Sequence, residues 1–412
     1  MGQIDSAETL ARVREVRPLA ATKSLWPRHD DDEIEAAAKV LRSGKVNALV
    51  HGRENRAFEA EFAHYIGVPH AIAVSNGTVA IELALRALGI GPGDEVIVPA
   101  RSFFATTSAV VAVGARPVFA DVELDTQNID PVSVERLAGN ATRGIICVHL
   151  AGQPCDMDRL CKIASDRNLH LIEDCAQAHG ASWNGRTVGS FGDAAAFSFC
   201  TDKIMSTGGE GGMVTIKEEA VWRAAWAYKD HGKDPLRLRE PSGAQAGEFR
   251  YLHDGFGSNF RMTEMQAAIG RKQLSKLDEW LAQRRSNAEA FLAEACNSPV
   301  VLPLVLPDGA NHAYYKVYVR LDLSRLPADM SRSDVVTALM FEGIMCGSGS
   351  CPDMSKEAAF ENMDLKQDAD LPNARRLGCE TMMFQVDHTL TPDQTAYFGR
   401  RLAEIADAYA VP

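Results

Sequence analysis

From residue 70 onward, short β-rich apolar runs alternate with stretches whose apolar positions recur at helical spacing. His70-Ala71-Ile72-Ala73-Val74 reads as a strand. Residues 77–88 read as a helix, with Val79, Leu83 and Leu88 among its apolar positions. The alternation continues with a strand at 95–98, a helix at 102–113 and a strand at 117–120. Strands at 144–149 and 169–173 bracket a helix near 157–167, and Ala194-Ala195-Ala196-Phe197-Ser198-Phe199 reads as a buried strand. Repeated strand–helix–strand units predict an α/β fold with a mostly parallel sheet covered on both faces. Such sheets bind ligands outside the carboxyl ends of their strands.

The pattern changes in the last third of the chain. Thr263-Glu264-Met265-Gln266 fits a capping box, and the helical pattern then runs to about Ala295, long enough to link two domains. After Pro303 a strand is expected at 314–319 and helices at 333–341 and 391–409. Thr391-Pro392-Asp393-Gln394 supplies a cap, a first-turn proline and a capping-box glutamine for the last of these. The expected division is a large domain over 1–285, with an N-terminal arm of about 1–45, and a smaller α+β domain over 286–412. Residues 230–247 are polar and contain glycine, which predicts an exposed loop. No internal repeat or low-complexity segment interrupts the chain.

Composition narrows the class further. The 412 residues are 46% hydrophobic and 24% charged, ordinary for a soluble globular protein. A net charge of −12 argues against nucleic acid as a partner. It leaves anionic ligands open, because backbone amides and a few cations bind phosphate on an acidic protein. No basic segment followed by an apolar stretch opens the chain, so no signal peptide is expected, and no apolar run reaches the length of a membrane span. Gly2 and Ser6 satisfy the loose myristoylation pattern, but Asp5 and Glu8 beside them supply no second anchor. The nine cysteines are odd in number and scattered, which suits reduced thiols in a cytoplasm, and no Cys/His group shows zinc spacing, so no metal is expected.

Candidate chemistry centres on Lys203, which stands between the buried strand ending at Phe199 and the run Gly208-Gly209-Glu210-Gly211-Gly212. Upstream lies Ile172-Glu173-Asp174-Cys175-Ala176-Gln177-Ala178-His179-Gly180. An acid at a strand end together with a buried-looking lysine suits pyridoxal 5'-phosphate (PLP): the amine forms a Schiff base and the acid partners the pyridine nitrogen. Ser75-Asn76-Gly77-Thr78 lies between strand and helix, where backbone amides bind phosphate. Each feature has an ordinary alternative. The 75–78 turn and Asp174 could be helix caps, Phe103 a core residue rather than a stacking plate, and His179 a structural histidine rather than a partner of Asp174 or the ring oxygen.

In order and spacing these segments resemble the DegT/DnrJ/EryC1/StrS family, the PLP-dependent sugar aminotransferases of fold type I. The likeness extends through Leu41-Arg42-Ser43-Gly44, Phe58-Glu59, Gly91-Pro92-Gly93-Asp94-Glu95-Val96 and Gly257-Ser258-Asn259-Phe260-Arg261-Met262-Thr263-Glu264-Met265-Gln266-Ala267-Ala268. The resemblance implies that Lys203 is the Schiff-base lysine and proton shuttle and that Asp174 pairs with the pyridine nitrogen. Gln177 would contact the ring face or its oxygen. Gly77, Thr78 and Ser198 would hold the phosphate, and Phe103 would stack on the ring. Asn259 would reach the phosphate of a neighbouring subunit, which implies a homodimer with shared active sites. The implied reaction is ping-pong transfer of an amino group from glutamate, or glutamine, to a keto sugar, most naturally nucleotide-linked.

Departures from the family pattern bear on the acceptor. Cys346-Gly347-Ser348-Gly349-Ser350-Cys351-Pro352-Asp353 replaces an aromatic, histidine-rich segment and reads as small and flexible. Cys200 and Asp202 replace the His and Thr often found before the lysine. A keto-inositol or unactivated sugar is therefore the alternative acceptor. A sugar dehydratase of the same fold is disfavoured because those relatives carry histidine in place of the lysine. A non-enzymatic regulator is disfavoured by the intact Lys203, Asp174 and Ser198.

Overall fold

Val96, Ile97 and Val98 are fully buried, as are Ile145 and Ile146 on the adjacent strand, because both faces of their sheet are covered. The computed structural model describes residues 23–239, 252–363 and 365–411. Strands β1 (His70–Val74), β2 (Glu95–Pro99), β3 (Arg116–Ala120), β4 (Thr142–Val148) and β5 (His170–Asp174) alternate with helices. The short β6 (Ser182–Trp183) and β7 (Arg186–Thr187) precede β8 (Ala194–Ser198) and β9 (Gly212–Ile216). Later come β10 (Val301–Pro303), β11 (Ala310–Asn311), β12 (Val317–Leu321), β13 (Cys346–Gly347), β14 (Lys366–Gln367) and β15 (Thr381–Phe384).

The main sheet has the order β1-β9-β8-β5-β4-β2-β3-β14. All pairings in it are parallel except those of β9, which runs antiparallel to both β1 and β8. The sequence pattern gave no strand at 212–216, because Gly212 and Thr215 dilute the apolar run. Alternation along each strand sorts side chains to two faces. Ile72, Val74, Val96, Val98, Ile146 and Ile172 share one core with the helix Gly77–Ala87. Ile97, Ile145, Cys147 and Leu171 share another with the helix Met157–Arg167.

A second sheet, β10-β12-β15-β13, is antiparallel throughout and packs against the helices Arg332–Phe341 and Pro392–Tyr409. The strand expected at 314–319 starts later, at Val317, because Tyr314 takes a left-handed backbone (φ 48°) and turns the chain there. The single helix expected from 263 to 295 is two, Glu264–Leu274 and Leu277–Ala295. At the break the Ser275 hydroxyl donates to the Lys272 carbonyl (2.7 Å), competing with the helical ladder. The capping boxes at Thr263 and Thr391 are both formed.

The helix Leu277–Ala295 joins the two bodies: Leu277 and Leu281 lie in a core of the large sheet, Ala288 and Phe291 in that of the small sheet. A cut at 285 does not cleanly separate these cores. Met354, Phe360, Leu371, Ala374 and Leu377 pack on the large sheet, and β14 extends it beside β3. The loop expected at 230–247 is also corrected in part. Asp230 is fully buried, with Arg261 at 2.6 Å and Lys233 and Lys229 at 3.5 and 3.7 Å, and Pro235–Arg239 is helical. Residues 240–247, like residues 1–22 of the expected arm with Gly2 and Ser6, lie outside the described residues. None of the nine cysteines is in a disulfide, and no described helix is long and apolar enough to cross a membrane.

Candidate active site

Register places the functional turns side by side. Gly212 at the start of β9 pairs with Val74 at the end of β1 and with Ser198 at the end of β8. The backbones pass so closely that a Cβ on Gly77 would sit 2.6 Å from the Ser198 Cβ, and one on Gly212 would sit 2.4 Å from the Asn76 carbonyl oxygen. Asn76 caps the helix Gly77–Ala87, its side chain accepting from the Val79 amide (3.0 Å). The Gly77 and Thr78 amides therefore head an open helix N-terminus beside the Ser198 hydroxyl, an arrangement that suits a phosphate.

Asp174 ends β5, between Val148 and Ala196. One carboxylate oxygen accepts from the Ala176 amide (3.1 Å), the other from the Thr106 hydroxyl (2.9 Å). The Ser102 hydroxyl lies 3.3 Å from that of Thr106. Burial pushes the Asp174 carboxyl above its ordinary range, opposed by the Ala176 amide, the Thr106 hydroxyl and Lys203. A buried carboxylate of this kind is stabilised in its ionised form by a cation beside it. Gln177 accepts from the Ala151 amide through Oε1 (2.7 Å), leaving its amide nitrogen without a partner among the described residues.

Lys203 sits in a tight loop closed by bonds from the Phe199 amide to the Gly211 carbonyl (2.8 Å) and from the Thr207 amide to the Phe199 carbonyl (3.1 Å). Its amine is largely buried, 3.8 Å from an Asp202 oxygen and 4.9 Å from the ring centre of Tyr315. The Tyr315 hydroxyl donates to the other Asp202 oxygen. Burial pushes Asp202 up, but Lys203, Tyr315 and Lys316 outweigh it and hold the carboxyl below its ordinary range. The Trp26 indole donates to the Lys203 carbonyl (2.8 Å).

The remaining candidates divide. Phe103, just beyond β2, is 62% exposed and so is not a core residue. Thr78 is exposed at the helix tip. Asn259 is exposed and bridges to Asp230, while its neighbour Phe260 accepts from the Ser75 amide (2.9 Å), so this segment flanks the end of β1. His179 does not hydrogen-bond Asp174. It is buried between Phe197 and Phe199, and burial, then Lys203 and Arg284, pushes it down to about 3, so it is neutral.

The segment 346–353 is not loose. Cys346 and Gly347 form β13, the Cys351 amide donates to the Ser102 carbonyl (3.2 Å), and the Met354 amide donates to the Ala100 carbonyl (2.8 Å). The buried Arg101 donates to the Ser350 and Ser348 carbonyls (3.4 and 3.5 Å). Beneath the floor, His149, Glu173 and Cys175 converge in space, although their sequence spacing signals no metal site. Both Glu173 oxygens are already occupied, by the amides of Gly189, Phe191 and Gly192 and by His149 Nε2, and His149 Nδ1 accepts from the Cys155 amide. These bonds anchor the end of β5.

Sequence reasoning missed Thr106, Trp26, Tyr315 and Lys316. For Thr106 there was no signal, since threonine in an apolar helix is common. For Lys316 there was one: a lysine inside the apolar run Tyr314-Tyr315-Lys316-Val317-Tyr318-Val319.

Residues 27–402 match the DegT/DnrJ/EryC1/StrS aminotransferase family. The chain is 41% identical over 298 residues to GDP-perosamine synthase of Caulobacter vibrioides, covering 72% of this chain and 76% of that protein. It is 40% identical over 292 residues to dTDP-3-amino-3,4,6-trideoxy-alpha-D-glucose transaminase of Streptomyces venezuelae, covering 71% and 73%. Its fold superposes on the aminotransferase from Psychrobacter cryohalolentis with a TM-score of 0.87 and 44% identity, over 93% of this chain and 98% of the other.

Proposed function

Since the chain belongs to the DegT/DnrJ/EryC1/StrS aminotransferase family, whose members depend on PLP, we propose that it moves an amino group from glutamate to a nucleotide-linked keto-deoxy sugar. One observation carries the reading: the Lys203 amine, the buried Asp174 carboxylate and the open amides of Gly77 and Thr78 lie at neighbouring strand ends of one sheet. The residues fit PLP. A Cβ at Gly77 or Gly212 would collide with Ser198 or the Asn76 carbonyl and push apart the turn whose amides suit a phosphate, and Asp174 is short of the positive partner that a protonated pyridine nitrogen provides. The names of the GDP- and dTDP-sugar relatives support a nucleotide-linked acceptor.

When bound, PLP supplies an electrophilic carbon and an electron-accepting ring. The Gly77 and Thr78 amides and the Ser198 hydroxyl hold its phosphate. Asp174, fixed by Thr106 and Ala176, holds the ring-nitrogen proton. Gln177, whose amide nitrogen has no partner among the described residues, would contact the ring face or its oxygen, and the exposed Phe103 would stack on the ring. Lys203 Nζ takes the proton from the donor's amine-bearing carbon and later returns one to the acceptor. The Asp202–Tyr315 pair keeps that amine near the reacting atoms. The same reading makes the protein a homodimer in which the exposed Asn259 of each chain serves the other's phosphate turn. The bare ring of Phe256, on the same segment, supports a covered face there.

The test starts from enzyme converted to its amino form by glutamate. Adding a nucleoside-diphosphate 4-keto-6-deoxyhexose should restore the carbonyl-form absorbance, and Lys203→Ala should abolish that return. No return in a competent wild type, with return on a keto-inositol, would overturn the nucleotide-sugar assignment. Retained transamination in Lys203→Ala would overturn the role of the lysine.

A further inference from the structure

Lys316 stands immediately before β12, and its backbone amide donates to the Ala151 carbonyl (3.4 Å). Ala151 is also the residue whose amide holds Gln177, so Lys316 belongs to the rim of the same site. Its side chain is only 9% exposed. Among the described residues its amine makes no hydrogen bond or ion pair, and it lies over the Tyr315 ring, 4.9 Å from the centre. Lys203 lies at the same distance from the same ring, so one aromatic ring relates the two amines.

The local charges do not balance. Lys316 faces Arg284, Asp202, Asp387 and Lys203. That is three cations, counting Lys316 itself, against two carboxylates, and both carboxylates have other partners. Asp202 accepts from Tyr315 and neighbours Lys203; Asp387 accepts from the Thr389 amide and hydroxyl (3.1 and 2.5 Å). Arg284, buried behind Tyr314 and Tyr315, donates to their carbonyls (3.2 and 3.3 Å) and adds positive potential from within. Burial, then Arg284, pushes Lys316 down to about 8, which still leaves it mostly protonated at neutral pH. A buried cation without a counter-charge is costly, and an anionic ligand removes the cost.

The geometry points to Lys316 as an anion subsite that takes the carboxylate of the amino donor. The inference rests on the aminotransferase reading, because it takes its ligand from that reaction. The donor's α-carboxylate shares a carbon with the reacting amine, and Lys203 must reach that carbon. Lys316 approaches the same ring as Lys203, so an anion it holds stays on the reacting side of the site, whereas a sugar diphosphate is set off from the reacting carbon by part of the sugar ring.

Calorimetric titration of the PLP-loaded holoenzyme tests this, using 2-oxoglutarate, which does not react with the carbonyl form, and inorganic pyrophosphate. In Lys316→Gln the Kd for 2-oxoglutarate should rise about tenfold, the loss expected for one charge-assisted bond. Lys316→Arg should recover much of it, and pyrophosphate binding should not change. Lys316→Met serves where the glutamine variant does not fold, since an apolar side chain of similar length tolerates the site. Unchanged 2-oxoglutarate binding in a folded variant overturns the subsite, as does failure of wild-type holoenzyme to bind 2-oxoglutarate. A loss confined to pyrophosphate overturns the donor assignment and gives the anion to the acceptor. Absence of cofactor absorbance from the wild type is a separate result and would sink the aminotransferase reading itself.

Discussion

Asp174, Ser198 and the 75–78 turn form a floor at the ends of β5, β8 and β1, with β9 standing between the last two and pairing with both. Tyr315, Lys316, Trp26 and Arg284 form a wall that reaches Lys203 from three separate segments: the approach to β12, the chain before residue 27, and the helix Leu277–Ala295. On the proposed reading the floor holds the cofactor. The wall offers positive charge and an aromatic ring, which on the same reading face the substrates. The comparison predicts that floor substitutions weaken every step, while wall substitutions separate one substrate from the other.

The largest effect should come from Asp174→Asn. Removing the charge beside the ring nitrogen should lower kcat of both half-reactions by on the order of 10³. Stability should move the other way. Burial raises the folded-state pKa of Asp174, so its ionised form destabilises the fold at any pH above that pKa, and a neutral amide escapes the penalty. The cofactor-free variant should therefore melt at or above the wild-type temperature in calorimetry. A lower melting temperature together with the activity loss would mean that Asp174 is structural rather than poised.

The same division explains what could be read from the sequence. Strand ends carry their signal locally: Asp174 follows five residues that read as a strand, and Gly77 lies between a strand and a helix, so both turns are legible from the pattern alone. Lys203 stands out because a lysine between a buried strand and a glycine run is unusual. Thr106 was not found, because its role depends on the Ala105–Ala112 helix lying beside β5, a tertiary fact. Tyr315 and Lys316 were read only as strand residues, since periodicity says which face a side chain takes but not what stands opposite. β9 was missed because its first residue is a glycine selected for close approach to Asn76, not for strand propensity. The segment 346–353 was read as flexible from its small residues, yet Arg101 and two backbone bonds seat it.

A smaller effect is expected at Thr106. Its hydroxyl donates to the Asp174 carboxylate and lowers the Asp174 pKa. Thr106→Val keeps the shape and removes the donor, so that pKa should rise. The ionised acid is the working form, so the acid limb of the pH–rate profile should move toward higher pH. The loss of kcat at neutral pH should be about tenfold, the low end of the range for one hydrogen bond to a charged group. A uniform drop with an unmoved acid limb would show that the hydroxyl only supports packing.

The smallest effect should appear at Trp26, where it separates the two lysines that share the Tyr315 ring. Trp26 donates to the Lys203 carbonyl and packs edge-on against Trp280 and His388, which are themselves stacked 4.1 Å apart. The adjoining Leu25 amide donates to the Thr389 hydroxyl (3.0 Å), so the segment before Pro27 ties the lysine loop to the small-sheet body. Trp26→Phe retains the aromatic packing and deletes the donor. On the proposed mechanism Lys203 moves protons in both half-reactions, so both should slow together, by about threefold, with the Kd for 2-oxoglutarate unchanged. Lys316→Gln should show the opposite profile, weakening 2-oxoglutarate while leaving the acceptor half-reaction near wild type. If Trp26→Phe instead weakened 2-oxoglutarate, the N-terminal segment would act on the wall rather than on the lysine loop. The two amines would then have to be treated as one coupled unit.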